Sequence, residues 1–165
     1  MAKNAQKTPQ PAGKKAGFMP DLTNEWDRDR LRTWMANAKR LGREDVFRNA
    51  LRQLCQADAR EIEDPLEAAY ATTLRAQEEA VSEDTGKVKR ANRARTKPAR
   101  EVIVKALSDQ TTAPAPSAGF ETLVNHAMGD MTPEALVLRF PDAFEPTVVE
   151  AARKRLDEYG VASPA

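Results

Sequence analysis

Residues 64–86 read DPLEAAYATTLRAQEEAVSEDTG, and the two ends of a helix are written into them. Asp64 is a capping carboxylate, Pro65 takes the first helical position, where its missing N–H breaks no bond, and Glu67 can reach back to the cap. At the other end Gly86 can adopt the left-handed conformation that closes a helix. Between them the spacing predicts an inner row of Leu66, Tyr70, Leu74, Gln77 and Val81, with Glu67, Glu78, Glu79 and Glu83 left to water.

Upstream, two further helices share that periodicity. Leu31, Trp34, Met35, Ala38 and Leu41 fall on one face of a helix opened by Asn24 and ended by Gly42. Phe47, Ala50, Leu51, Leu54 and Cys55 form the buried stripe of a helix from about Glu44 to Arg60, with Glu44 and Asp45 placed favourably at its positive end. A connection this short makes the two antiparallel.

Downstream, a short helix carrying Val102, Ile103, Ala106 and Leu107 follows Pro98. The Pro/Ala-rich residues 108–118 read as a linker. Beyond it, three short helices are expected over 119–160. The first has Phe120, Leu123, Val124, Ala127 and Met128 on its apolar side and ends at Gly129; the second is opened by Thr132-Pro133; the third runs from about Pro146 to Gly160. The predicted fold is therefore all-α. A basic N-terminal tail over 1–21 precedes a helical unit over 22–107, and after the linker come the smaller helical unit and a short tail over 161–165.

Composition agrees with a modest core. Of 165 residues, 41% are hydrophobic, yet 28 are Ala, and Leu, Ile, Val and Phe together number 29. Such a supply would suggest disorder if the net charge were large, but the net charge is +1 and the apolar residues fall in helical register. No apolar run approaches the roughly 18 residues of a membrane span, and the first twenty residues lack a secretory signal, so a cytoplasmic protein without membrane contact is expected. Cys55 and His126 are single residues of their kinds, too few for a disulfide or a Cys/His zinc site.

The small net charge hides a segregation. The formal charge is +4 over 1–20, +2 over 21–60, −7 over 61–86, +7 over 87–105 and −5 over 106–165. Lys87, Lys89, Arg90, Arg93, Arg95, Lys97 and Arg100 lie within fourteen residues, directly after the acidic helix. Arginine's planar fork donates two hydrogen bonds to one phosphate, so this stretch reads as a nucleic-acid contact, with Asn92 and Thr96 able to add neutral hydrogen bonds. No aromatic residue lies between Tyr70 and Phe120 to stack unpaired bases, which favours duplex. The competing reading has the stretch neutralise the acidic helix, or an acidic protein partner, and makes the chain a helical protein-interaction adaptor. A helix-turn-helix in the C-terminal unit is disfavoured, because residues 119–160 carry eight acids against four bases.

Chemistry is sparse. Cys55 falls in an apolar stripe, and His126 reads as solvent-facing or cap-supporting. Glu78-Glu79 and Glu83-Asp84 read as a solvated acidic face, and no glycine-rich phosphate loop occurs. A non-enzymatic protein with no cofactor and no metal is expected. Trp34 fits the core row; Trp26, at the edge of its helix, is the candidate for partner contact.

Overall fold

A computed structural model describes residues 17–87 and 98–164. Among these residues there are seven α-helices and no strand: α1 Arg28–Arg40, α2 Glu44–Ala57, α3 Pro65–Thr85, α4 Arg100–Thr112, α5 Ala118–Asn125, α6 Pro133–Arg139 and α7 Pro146–Glu158. Two 3-10 turns, Gly129–Met131 and Pro141–Ala143, link α5 to α6 and α6 to α7.

α3 forms where the sequence placed it. The Asp64 side chain accepts from the Glu67 amide at 2.9 Å, Pro65 is the first helical residue, and Gly86 ends the helix at φ 64°. α1 starts later than expected. Its cap is Asp27, whose carboxylate accepts from the Arg30 amide at 3.0 Å, because residues 22–25 are drawn into a turn that the Glu25 amide closes on the Leu22 carbonyl.

Two apolar clusters share α3. One gathers Leu31, Met35 and Ala38 of α1, Phe47, Leu51 and Leu54 of α2, Ala76 and Ala80 of α3, and Leu123, Met128 and Met131 from the C-terminal part. The other joins Leu66 at the start of α3 to Ile103 and Leu107 of α4, Leu136 and Val137 of α6, and Val148 and Ala152 of α7. Phe120, Ala135 and Leu156 form a small third cluster, with Tyr159 edge-on to Phe120 at 5.0 Å.

Because α3 is covered on more than one side, its innermost residues are small. Leu66, Thr73, Ala76, Glu79 and Ala80 are buried, and the expected inner row of Tyr70, Leu74, Gln77 and Val81 is only half-buried. Glu79 is thus an inward residue rather than a solvent one, held by Arg32 at 3.1 Å and Arg75 at 3.3 Å. α1, by contrast, is packed chiefly on α2, so a single face suffices. Trp34 is 37% exposed and Leu41 63%, outside the core that their spacing suggested.

α4 continues to Thr112, five residues into the stretch expected to be linker, which leaves only residues 113–117 as connector. Local bonds help it: Lys105 pairs with Asp109 at 2.8 Å, and the Thr112 hydroxyl donates to the Ser108 carbonyl. The decisive contact is distant in sequence. Arg155 of α7 donates to the carbonyls of Gln110 and Ala113, groups that a helix end leaves without internal partners, and to Glu134 Oε1 at 2.9 Å. The side chains of Arg155 and Glu134 are 10% and 2% exposed, so one guanidinium ties α4, α6 and α7 together out of water.

Burial raises the Glu134 carboxyl above its ordinary value, Arg155 opposes that rise, and Glu134 Oε2 has no partner among the described residues. Replacing Arg155 by Met should cost about 3 kcal/mol or more at neutral pH, the loss typical of breaking a buried pair. Without the guanidinium the folded-state carboxyl rises further and holds its proton more firmly than in the unfolded chain. The penalty should therefore shrink as pH falls toward the ordinary carboxylate range. Urea unfolding at pH 7.5 and pH 5 measures both, and a penalty independent of pH would remove Glu134 from the account.

α5 ends at Asn125, short of the Gly129 that its periodicity pointed to, because the chain turns away through a left-handed Ala127, and this end supplies a second test. Ala127 has φ 55°, the sole positive φ of a non-glycine among the described residues, in a turn where the Met128 amide bonds back to the Leu123 carbonyl at 2.8 Å. Ala127 is exposed, so Ala127→Gly removes backbone strain without opening a cavity and should stabilise by about 1 kcal/mol, read as a raised urea midpoint.

Candidate functional site

Of the seven cations in the basic stretch, Lys87 and Arg100 are described. Lys89, Arg90, Arg93, Arg95 and Lys97 lie outside the described residues. Lys87 is exposed just beyond the glycine that ends α3. Arg100 opens α4 and binds Asp64 at 2.7 Å, at the opposite end of α3. Asp64 sits below its usual range, first through the Glu67 amide and then through Arg100. The two ends of the stretch are therefore fixed at the two ends of a 21-residue helix, which is roughly 30 Å long.

The acids of α3 are answered mainly from elsewhere. Glu79 is met by Arg32 and Arg75, Glu83 by Lys39, and Asp84 by His126, whose Nε2 lies 2.7 Å from the carboxylate. His126 is at the C-terminal cap of α5 and so joins that helix to the last turn of α3. Asp64, the cap of α3, is paired with a member of the basic stretch, Arg100.

Trp26 is half-buried just ahead of α1. The Arg60 guanidinium lies over its ring at 4.8 Å, a cation-π contact joining the start of α1 to the end of α2. The pair helps line a cleft of about 340 Å³ whose wall also includes Arg52, Thr73, Asp130 and Arg139. Arg52 grips Asp130 with both arms, at 2.6 and 2.8 Å, and donates to the Ala127 carbonyl at 3.2 Å. That fork holds the Asp130 carboxyl below its usual range, against the opposing effect of burial. Partial desolvation lowers Arg139, a shift the Asp130 charge opposes, and the guanidinium stays charged at neutral pH.

Sequence reasoning singled out Trp26 as a candidate for partner contact but did not consider Arg60 or Arg139. No local pattern signals them, since residues 26, 60 and 139 meet only through the tertiary fold. Comparison with protein-family models, with curated proteins and with solved structures finds no match for this chain.

No group of three His, Cys, Asp or Glu side chains that could hold a metal occurs among the described residues. Cys55 is fully buried, and burial pushes its thiol up to about 12. A thiolate is the reactive form, so Cys55 should resist an aromatic disulfide reagent at pH 8 in the folded protein and react on unfolding. Rapid labelling of the folded chain, followed by absorbance, would show that α2 opens locally.

Proposed function

We propose that this chain is a non-enzymatic accessory protein that contacts nucleic-acid backbone through Lys87 to Arg100. The reading is supported above all by the pairing of α3. Part of the acidity of the neighbouring helix is met from α1, Glu79 by Arg32 and Glu83 by Lys39, which leaves fewer of its carboxylates for the seven cations to neutralise. Anchoring the ends of the stretch roughly 30 Å apart suits an elongated polyanion better than one acidic side chain. The absence of aromatic residues within it favours duplex.

Fluorescence anisotropy with labelled duplex DNA, single-stranded DNA and duplex RNA at two salt concentrations tests this. Contact with roughly four to six phosphates gives a slope of about −4 to −5 for log affinity against log salt. Arg90, Arg93 and Arg95 changed together to Gln should abolish most of the binding. No binding at low salt, or equal binding by that variant, overturns the reading.

An adaptor role is favoured by a separate observation. Phe18, Trp34 and Leu41 expose apolar surface, which suits a protein partner. Loss of a captured acidic protein in the triple Gln variant, with no nucleic-acid binding by the parent, would establish that alternative.

A further inference from the structure

The cleft beside Trp26 has uncommitted binding capacity. Among the described residues neither Arg60 nor Arg139 makes an ion pair within 4 Å, whereas Arg52, in the same wall, is saturated by Asp130. The Thr73 hydroxyl, on the α3 side, has no hydrogen-bond partner among the described residues. Its neighbours in α3 behave differently: Thr72, Ser82 and Thr85 each donate to a carbonyl one turn back. Two small residues, Ala68 and Ala69, complete this side and leave room above the helix.

The chemistry of the wall specifies a ligand with two parts. A guanidinium resting on an indole is a flat, cationic platform, and planar bases stack on both arginine planes and aromatic rings. A second guanidinium, free of ion pairs, suits a phosphate, whose oxygens accept two parallel hydrogen bonds from its fork. Asp130 is the carboxylate in this wall; it is paired with Arg52 and its charge also reaches Arg139, yet the three guanidiniums of Arg52, Arg60 and Arg139 outnumber it, so the local balance is positive. A volume of about 340 Å³ falls at the lower end of the roughly 300–1,000 Å³ of small-ligand sites.

We infer that this cleft binds one nucleoside phosphate, its base laid on the Arg60–Trp26 stack and its phosphate held by Arg139. The shared chemistry covers a free mononucleotide and the unpaired end nucleotide of a strand. The inference deepens the nucleic-acid reading, yet it uses none of the residues from Lys87 to Arg100. Its failure and the failure of that reading are therefore separable.

The experiment titrates the full chain with adenosine monophosphate, cytidine monophosphate and inorganic phosphate, following tryptophan fluorescence. Trp34→Phe supplies the background, so that Trp26 alone reports. Saturable quenching by the mononucleotides with Kd below about 1 mM is expected. Arg139→Gln and Arg60→Gln should each weaken it at least tenfold, and both are exposed positions whose folding can be checked by circular dichroism. The triple variant of Arg90, Arg93 and Arg95 should bind mononucleotide as the parent does.

A duplex with a one-nucleotide overhang distinguishes the two sources. Tighter binding than to the blunt duplex, lost in Arg139→Gln, assigns the cleft to a strand end, whereas equal binding with retained mononucleotide affinity assigns it to the free nucleotide. No saturable quenching, mononucleotide affinity unchanged in both arginine variants, or inorganic phosphate binding as tightly as the mononucleotides would each overturn the inference.

Discussion

A chain with 29 Leu, Ile, Val and Phe residues among 165 has little apolar material to distribute, and this shortage explains why one helix must serve two cores. α3 spends Leu66 on the cluster shared with α4, α6 and α7, and Ala76 and Ala80 on the cluster shared with α1 and α2. Alanine at those positions lets neighbouring helices come close, so that large side chains from α2 and from Leu123 and Met128 fill the space. Had α3 presented Leu74 or Val81 inward, it would have pushed one of the two sets of helices away.

The second device is polar. The C-terminal helices are short, and α6 has only seven residues, below the length at which a helix sustains itself in water. Arg155 satisfies the C-terminal end of α4 and one oxygen of the Glu134 carboxylate at once, turning three marginal helices into one unit. Such a group is costly to desolvate, and what it contributes is a fixed relation between elements rather than raw stability. Arg52 acts in the same way nearer the surface, joining α2 to Asp130 and to the left-handed turn at Ala127.

The helical class and most helix boundaries were legible because they depend on local chemistry: the Asp64-Pro65 start, the Gly86 stop, the Thr132-Pro133 start. Features set by distant contacts were not. Nothing around Thr111 announces that a guanidinium 44 positions away caps the helix it belongs to, so residues 108–112 looked like linker. Periodicity identified the faces of α1 and α3 but could not say how many sides each would have covered, hence the exposed Trp34 and the buried Glu79. At the candidate site the balance is similar. A run of cations and a solitary tryptophan can be seen in one dimension, whereas Arg60 and Arg139 acquire meaning only from their shared wall.

The Arg100–Asp64 pair carries one more consequence. It ties the far end of the basic stretch to the base of the same helix whose tip the stretch leaves. A chain held at both ends samples fewer arrangements than a tail of equal length. The closure does not hang on that pair alone: Ile103 and Leu107 hold α4 in the same apolar cluster as Leu66, so the two ends of the stretch stay at the two ends of α3 whether or not the ion pair forms.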